Sequence, residues 1–431
     1  MAQAFAAAVL GAALLAAAYA AEVPSPSSPA GPYAAWASGP SSDPDYFPIG
    51  VWLQDPANAT RYKEAGINLF VGLWRGPTDK QLAELNAAGM RVICELNDVG
   101  MKHLDDKTIA AWMHNDEPDN CQGLRTYWRG DYEAMKKAWP DFPNLTPEQY
   151  AGSYGSYGAP VPPARIERDY NEIRGKDPSR PVYLNLGVGV AFDRLPGRGI
   201  RSQHPEDYYQ YTRGCDVVSY DVYPEGTDGA DLGKLWLVAR GVKRLYKYSD
   251  NKKIVWNIIE GARSEATRNR PTPQSLRTEA WMSIIHGSRG IIYFVHLFRP
   301  SFVEAGVLQD PELLAGMTAL NKEIRDLARV LNSPTVEGRV SVASSAPASQ
   351  EMAADGLEPI AAMTKEQGGA LYVFAVRMED TPARGAFQVA GLPASAQAEV
   401  LGEGRTVDVT GGAFSDDFQG YTVHLYKITS R

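Results

Sequence analysis

The sequence lacks the features that mark several large classes of protein. Its three cysteines allow at most one disulfide. Cys94 lies in the apolar run "RVICEL" and should pack as a small hydrophobe, whereas pairing of Cys121 with Cys215 stays open. There is no Cys/His spacing of a zinc site, no spaced Asp-x-Asp ligand set, no P-loop, no strand-linked GxGxxG and no GxSxG. We therefore expect no metal and no cofactor, and a serine nucleophile has no support.

Clustered positive charge is also missing. The formal net charge is −8 at pH 7, and no basic run occurs. Nucleic acid and anionic membranes both favour clustered Lys and Arg, so neither is expected as the main partner. Aromatic residues are plentiful instead, with 22 Tyr and 9 Trp. Aromatic faces stack on sugar rings as well as filling cores, which leans weakly towards a carbohydrate ligand.

The first 45 residues have the composition of a targeting segment and a spacer. An apolar run at 5–20 ends in Ala18-Tyr19-Ala20, the small-x-small pattern of a secretory cleavage site. The run is short for a membrane-spanning helix, and no cysteine follows it to carry a lipid. We predict a signal peptide over 1–21, a disordered Pro/Ser-rich spacer over 22–45, and a secreted or periplasmic protein without a membrane anchor.

Residues 46–333 alternate short apolar strands with amphipathic helices. Eight strand candidates occur: "FPIGVWL", "INLFVGLW", "RVICEL", "IAAWMH", "RPVYLNLG", "DVVSYDVY", "KIVWNIIE" and "RGIIYFVH". Strands this apolar leave neither face for water, so the pattern predicts a parallel (β/α)8 TIM barrel, with a doubly wound open sheet as the alternative. The third connection, at 97–108, is too short for a full helix.

Two further segments stand outside the barrel repeat. The stretch 119–162 is long for a βα loop and rich in Tyr and Trp. Such an insertion after strand four should wall a cleft at the active face, unless its rings pack on one another as a surface subdomain. Residues 334–431 contain short alternating strands separated by Gly, Pro and Asp turns, which predicts a small C-terminal β-sandwich.

Functional groups occur at the carboxyl end of every predicted strand. In a parallel barrel these ends converge on one site whatever their separation in sequence. The residues that we select there are Trp52, Trp74, Arg75, Asp116, Glu117, Asn185, Tyr220, Tyr223, Trp256, Glu260 and His296. Glu117 and Glu260 follow strands four and seven, on opposite sides of the mouth. Two carboxyl groups flanking one bond are what glycoside cleavage requires.

These motifs resemble those of the clan A glycoside hydrolases, which are (β/α)8 retaining enzymes. "HNDEPDN" is similar to the Asn-Glu-Pro motif of the clan at Asp116-Glu117-Pro118, and "WNIIEGAR" is similar to its strand-seven motif at Glu260. "SYDVYP" resembles the strand-six end that often supplies a tyrosine, here Tyr220 or Tyr223. The resemblance implies that Glu117 is the acid/base and that Glu260 is the nucleophile.

The sequence departs from the motif of the clan at one position. Asp116 stands where the clan has an asparagine that contacts the sugar 2-hydroxyl. An ionised Asp accepts a hydrogen bond but donates none, and its charge and burial should raise the pKa of Glu117. Arg75 matches an arginine that is frequent near the nucleophile of the clan and would keep Glu260 ionised.

The sequence therefore predicts a secreted glycoside hydrolase that acts on an oligo- or polysaccharide by a retaining mechanism. Glu117 and Glu260 are its expected catalytic pair, and the other selected residues are expected to bind substrate. Two alternatives remain at this stage. One is a transglycosylase that uses the same site, and the other is a catalytically inactive carbohydrate-binding barrel.

Overall fold

The structure is a computed structural model that describes residues 31–139, 141–226, 231–262 and 271–429. The predicted signal peptide and the first part of the predicted spacer lie outside the described residues. No helix in the described part of the chain is both long enough and apolar enough to cross a membrane.

The first half of the chain forms a parallel sheet whose strands follow one another in space as they do in sequence. Its strand segments are β1 (Ile49–Trp52), β2 (Leu69–Val71), β3 (Arg91–Glu95), β4 (Ile109–Asp116), β5 (Val182–Leu186), β6 (Val217–Tyr220), β7 (Ile254–Val255), β8 (Asn257–Glu260) and β9 (Ile291–Phe294). All eight predicted strands are present, since β7 and β8 are two pieces of the predicted seventh strand.

The sheet closes on itself as a barrel. At one end β1 pairs with β9, through Ile49 opposite Ile291. At the other end β6 pairs with β7, and a single bridge joins Asp221 to Ile258 in β8. The strand that contains β7 and β8 therefore contacts both neighbours, and eight strands complete the circle. The TIM-barrel prediction is confirmed, and the open-sheet alternative is excluded.

Helices occupy the connections outside the barrel. They are α1 (Ala59–Glu64), α2 (Asp79–Ala88), α3 (Tyr132–Ala138), α4 (Pro147–Tyr154), α5 (Pro163–Lys176), α6 (Tyr208–Tyr211), α7 (Leu237–Tyr248), α8 (Pro273–Ile285), α9 (Pro311–Asp326) and α10 (Ala328–Asn332). Local sequence fixes several ends: Thr78 and Gln81 form a capping box at the start of α2, and Gly89 ends it in the left-handed conformation. The third connection contains only a 3-10 turn at Gly100–Lys102, as its length predicted.

Residues 31–45 pack against the amino-terminal end of the barrel. Tyr33 and Trp36 are buried with the residues of the barrel interior. The Tyr33 hydroxyl donates to the Arg289 carbonyl oxygen at 2.8 Å, and the Trp256 indole N–H donates to the Tyr33 hydroxyl oxygen at 2.8 Å. This differs from the disordered spacer expected for 22–45. Two large aromatic side chains in a Pro/Ser-rich stretch supply enough apolar area to hold this part in place.

Trp256 separates β7 from β8 and fills the barrel interior. It is fully buried, and its ring lies 6.1 Å from that of Tyr33 and 5.9 Å from that of Tyr183, measured between centroids. We expect Trp256→Ala to lower the free energy of unfolding by about 3–5 kcal/mol, because it leaves a large cavity. Urea denaturation followed by circular dichroism measures this. Trp256→Phe keeps the ring contact and should cost less, and a change in the alanine variant below about 0.5 kcal/mol would contradict this assignment.

The C-terminal part forms a separate antiparallel β domain. Its strands are β10 (Val340–Ser344), β11 (Ile360–Gln367), β12 (Ala370–Arg377), β13 (Ala383–Val389), β14 (Ser395–Val400), β15 (Arg405–Thr410), β16 (Ala413–Phe418) and β17 (Val423–Thr429), and a short helix α11 (Gln350–Ala354) precedes β11. The β domain that the turn pattern predicted is thus present. Its strands form one continuous ladder around a shared core, rather than two separate ladders.

The three cysteines are unpaired. Cys94 and Cys215 are buried, and Cys121 is half-buried. The packing predicted for Cys94 is confirmed, since it lies fully buried in the main hydrophobic core. The pairing of Cys121 with Cys215, which the sequence left open, does not occur.

Candidate active site

A tight turn at the end of β4 presents Glu117. Its backbone adopts a φ of 45°, in the left-handed region that non-glycine residues seldom occupy. The Glu117 N–H donates to the Asn185 carbonyl oxygen at 3.0 Å, and the Asn120 N–H donates to the Glu117 carbonyl oxygen at 3.1 Å. The Asn120 side-chain amide also donates to Glu117 Oε2 at 3.0 Å. Strand pairing and the turn therefore fix both the backbone and the carboxyl group of Glu117.

Asp119 anchors this turn to the loop after β5. It is fully buried, and its carboxylate accepts hydrogen bonds from the Gly187 N–H and the Tyr208 hydroxyl, both at 2.8 Å. A Cβ atom on Gly187 would lie 2.6 Å from the Asn120 side-chain nitrogen. The glycine thus leaves room for the asparagine that contacts Glu117.

Three acidic residues meet beside one amide at the strand ends. Asn185 Nδ2 lies 3.0 Å from Asp116 Oδ1 and 3.3 Å from Asp221 Oδ1, so it donates to both carboxyl groups. Ser219 orients Asn185 by donating to its Oδ1 at 2.7 Å. Glu117 is close enough to Asp221 for the charge of that carboxyl group to act on it. We call Asp116, Glu117 and Asp221 the acidic cluster.

The acidic cluster changes the proton affinity of its members. The negative charge of Asp221 is the largest cause that raises the pKa of Glu117, followed by burial and by the charge of Asp116. Burial is the largest cause that raises the pKa of Asp221, and the charge of Asp116 adds to it. The direction for Glu117 is the one that the sequence predicted from Asp116 and burial. The larger contribution nevertheless comes from Asp221.

Glu260 lies at the end of β8 in a different environment. It is fully buried, and its Oε2 accepts hydrogen bonds from the Glu225 and Gly226 backbone N–H groups, both at 3.0 Å. Two convergent amide donors stabilise an ionised carboxylate. The turn after β6 therefore covers Glu260 and fixes the orientation of its carboxylate.

A second buried carboxyl group lies behind Glu260. Glu279 in α8 is fully buried, and its Oε2 lies 3.4 Å from the Glu260 backbone nitrogen. Burial and the neighbouring Glu260 charge raise the pKa of Glu279 well above its ordinary value. Burial and the neighbouring Glu260 charge thus both favour the protonated form of Glu279.

Three of the predicted substrate-binding residues belong to the core instead. Tyr220 faces outward from β6, and its hydroxyl donates to the carbonyl oxygens of Leu237 and Val238 in α7. Trp256 fills the barrel interior, and Trp52 is buried in the same cluster. Strand alternation explains why Tyr220 points outward, since Ser219 and Asp221 point inward on either side of it.

Tyr223 and His296 contribute to a row of aromatic rings at the carboxyl ends of the strands. Adjacent centroids lie 4.9 Å apart for Tyr223 and Phe294, 4.9 Å for Phe294 and His296, and 5.6 Å for His296 and Phe302. Phe298 packs on Phe302 at 5.6 Å. Phe298 is 43% exposed and Phe302 is 59% exposed, so the row ends in solvent. We call these five residues the aromatic wall.

Trp74 and Arg75 lie on the surface beyond β2. Trp74 is 66% exposed, and the Arg75 guanidinium carbon lies 5.6 Å from its ring centroid. Arg75 is exposed whereas Glu260 is buried beneath the turn after β6. The ion pair predicted between them stays a prediction. The amides of Glu225 and Gly226 supply the contacts that anchor the Glu260 carboxylate.

The aromatic insertion after β4 packs mainly on itself. Trp128, Tyr132, Trp139 and Tyr150 form a separate buried cluster, with Tyr132 and Tyr150 centroids 5.1 Å apart. Tyr127 and Tyr157 remain exposed. Of the two interpretations that the sequence allowed, the self-packed subdomain therefore describes most of these rings.

Sequence reasoning did not select Asp221, Asn120, Phe298 and Phe302. Asp221 follows Tyr220 at a strand end, and alternation relative to Ser219 would have identified it as the inward-facing residue. Asn120 lies in the same motif as Glu117, but the hydrogen bond from its side chain to Glu117 depends on the conformation of the turn. Phe298 and Phe302 lie in the loop after β9, where periodicity carries no information.

Comparisons with known proteins agree with this architecture. No protein-family model and no curated protein matches the sequence. The fold is similar to a catalytic mutant of a GH42 β-galactosidase from G. stearothermophilus, with a TM-score of 0.54 and 10% identity over 89% of this chain and 98% of that chain. It is also similar to a β-galactosidase from Bacillus circulans sp. alkalophilus, with a TM-score of 0.53 and 9% identity over 91% and 99%. At such low identities the TM-scores show a similar fold and nothing further.

Proposed function

We propose that the protein is a glycoside hydrolase that acts by a retaining mechanism. The observation that carries this proposal is the contrast between two glutamates at the carboxyl ends of β4 and β8. Glu117 has a raised pKa and suits a proton donor, whereas Glu260 Oε2 accepts hydrogen bonds from two backbone amides, which favour an ionised carboxylate. An acid and a nucleophile require two carboxyl groups in different environments, one that favours the proton and one that favours the charge.

The roles follow from these environments. Glu117 gives its proton to the leaving oxygen as the glycosidic C–O bond breaks, and that bond's electron pair stays on the oxygen. Glu260 attacks the anomeric carbon and forms a glycosyl-enzyme. Glu117, now ionised, takes a proton from water, and the hydroxide attacks the same carbon and releases Glu260. We assign to Asp116 the hydrogen bond accepted from the sugar 2-hydroxyl.

The substrate class is inferred from the rim of the site. The aromatic wall and the exposed Trp74 offer faces for sugar rings, and the guanidinium of Arg75 offers donors for hydroxyl groups. We assign substrate contact to Tyr223, His296, Trp74 and Arg75, and an orienting role to Asn185. Secretion of the protein would fit an extracellular oligo- or polysaccharide. The structurally similar β-galactosidases make β-galactosides the first compounds to test.

One observation favours a second candidate function. Glu260 is fully buried under the Glu225–Gly226 turn, so a sugar reaches its carboxylate only when this turn moves aside. A barrel in which the turn never moves would bind carbohydrate at the aromatic wall without cleaving it. Isothermal titration with candidate sugars, run beside a turnover assay, separates binding without cleavage from catalysis.

The stereochemistry of the first product tests the retaining mechanism. Proton NMR of a hydrolysis reaction, recorded before the free sugar mutarotates, should show the anomer of the substrate. An inverted first product would require a water molecule between the two carboxyl groups and a separation of about 6.5–9.5 Å, instead of about 5–5.5 Å. That result would overturn the nucleophile role of Glu260 while leaving a glycosidase in place.

We expect Phe302→Ala to raise KM about 3- to 10-fold with little change in kcat. Phe302 is 59% exposed at the end of the aromatic wall, and loss of one ring stacked on a sugar costs about 0.5–1.5 kcal/mol. Steady-state kinetics on an oligosaccharide measure this. Tyr209→Ala is the matched control, since Tyr209 is 37% exposed beside Tyr248 on the outside of the barrel. Equal effects of both variants would contradict the assignment.

A further inference from the structure

A buried tyrosine contacts the turn that carries Glu117. Tyr208 in α6 is fully buried, and its hydroxyl donates to Asp119 Oδ2 at 2.8 Å. The other carboxylate oxygen of Asp119 accepts from the Gly187 N–H at 2.8 Å. A Cβ atom on Gly189 would clash with the Tyr208 hydroxyl, so the loop after β5 packs directly on this contact. Both oxygens of the Asp119 carboxylate are therefore bonded, one to the loop after β5 and one to α6.

Arg198 adds a contact to the backbone of the same aspartate. It is fully buried, and its Nε donates to the Asp119 carbonyl oxygen at 3.3 Å. Its Nη2 donates to Asp207 Oδ2 at 2.8 Å, and its guanidinium carbon lies 4.7 Å from the centroid of the Tyr208 ring. A planar guanidinium with several donors makes these contacts at the same time. The carboxylate and the backbone of Asp119 are thus both held by buried side chains.

The position of Asp119 affects Glu117 because both lie in one tight turn. The left-handed φ of Glu117 is strained, and such a conformation persists only where surrounding contacts hold it. Asn120, the residue after Asp119, donates from its side-chain amide to Glu117 Oε2 at 3.0 Å. A displacement of Asp119 would therefore move both the strained backbone and the amide that orients the Glu117 carboxyl group.

We propose that Tyr208 and Arg198 are positioning residues that act on Glu117 through Asp119. The catalytic meaning of this inference rests on the proposed function, whereas the bracing of the turn does not depend on it. Both side chains are fully buried, so they act without touching a sugar. Their loss should leave substrate binding in place and misplace the proton donor. The step that slows is the transfer of the Glu117 proton to the leaving oxygen.

The first test compares two substrates in Tyr208→Phe, which removes only the hydroxyl group. We expect kcat/KM to fall about 10-fold on a glycoside with a poor leaving group, because that reaction needs a well-placed proton donor. An aryl glycoside whose phenol leaves as a stable anion should lose about 2-fold or less, with little change in KM. A fraction of misfolded protein would lower both rates equally.

Tyr170→Phe is the matched control. The Tyr170 hydroxyl donates to Asp216 Oδ1 at 2.8 Å, and the Val182 N–H donates to Asp216 Oδ2 at 2.9 Å. This reproduces the bonding of the Asp119 carboxylate at the opposite end of the barrel, since Asp216 precedes β6 and Val182 begins β5. The control should keep the wild-type ratio of the two rates. Equal ratios in Tyr170→Phe and Tyr208→Phe would overturn the proposal.

Hydrogen exchange tests the bracing without a substrate. The Glu117 and Asn120 backbone amides donate to the carbonyl oxygens of Asn185 and Glu117, and NMR follows their exchange with deuterium. Tyr208→Phe should speed this exchange about 10-fold, because the turn then opens more often, and Tyr170→Phe should leave it unchanged. Unchanged exchange in Tyr208→Phe overturns the bracing. Faster exchange in a protein whose wild type cleaves no sugar keeps the bracing and rejects the proposed function.

A second variant keeps the proposal testable if Tyr208→Phe does not fold. Arg198→Lys retains a positive charge near Asp207 but has no Nε donor for the Asp119 carbonyl oxygen. We expect the rate on the poor leaving group to fall about 3-fold or more relative to the rate on the aryl glycoside. Circular dichroism establishes that the variant is folded. A wild-type ratio of the two rates in folded Arg198→Lys would overturn the proposal.

Discussion

Replacing Glu260 with glutamine is expected to lower kcat by roughly 10⁴-fold or more on every substrate. The amide has nearly the same shape but cannot attack the anomeric carbon. The Glu225 and Gly226 amides can still donate to the side-chain oxygen, so the fold should survive the change. Initial rates on an aryl glycoside that the wild type cleaves measure the loss.

The control for this variant is the same substitution away from the site. Glu172 lies on the outer helix α5, and its side chain is 61% exposed, so Glu172→Gln should retain wild-type rates. Circular dichroism and urea denaturation establish that Glu260→Gln is folded. More than a tenth of wild-type activity in folded Glu260→Gln would mean that another group attacks the sugar.

Replacing Glu117 with glutamine is expected to lower kcat/KM by about 10²- to 10⁴-fold on substrates with poor leaving groups. An amide has no acidic proton to give to the leaving oxygen. Aryl glycosides whose phenols leave as stable anions need less protonation and should lose much less activity. The comparison of the two substrate types therefore separates a lost proton donor from a damaged fold.

The pH profile of the same variant provides an independent check. Asp221 and burial raise the pKa of Glu117, so the wild type stays active to higher pH than an ordinary glutamic acid would allow. Activity then falls as the pH rises through that raised pKa. Glu117→Gln should lose this alkaline limb. A limb that persists in the variant would show that the limb reports another group.

The barrel could be predicted from sequence because its signal is repeated. Eight apolar segments, each followed by a polar strand end, are compatible with few folds other than the barrel. The same reasoning reached Glu117 and Glu260, since position at a strand end is set by counting strands. That count did not consider which residues of β6 face the barrel interior. Tyr220 was therefore selected as an inward residue, although Asp221 is the one that faces the site.

Other features depend on contacts that no local pattern encodes. The position of Trp256 inside the barrel depends on Tyr33, more than two hundred residues away in sequence. Tyr33 in turn lies in a stretch whose composition resembles a spacer. The Asn185 side chain donates to Asp116 and to Asp221, which follow different strands. Such pairings follow from the closed barrel and become visible only when the barrel is built.

Turnover of one panel of sugars by three proteins tests the central claim most directly. The purified wild type, Glu117→Gln and Glu260→Gln are incubated with polysaccharides and aryl glycosides, β-galactosides included, and released sugar is measured. The account predicts cleavage of at least one compound by the wild type and a loss of orders of magnitude in both variants. Sugar binding by all three proteins without turnover by any would contradict it, as would wild-type rates in either variant.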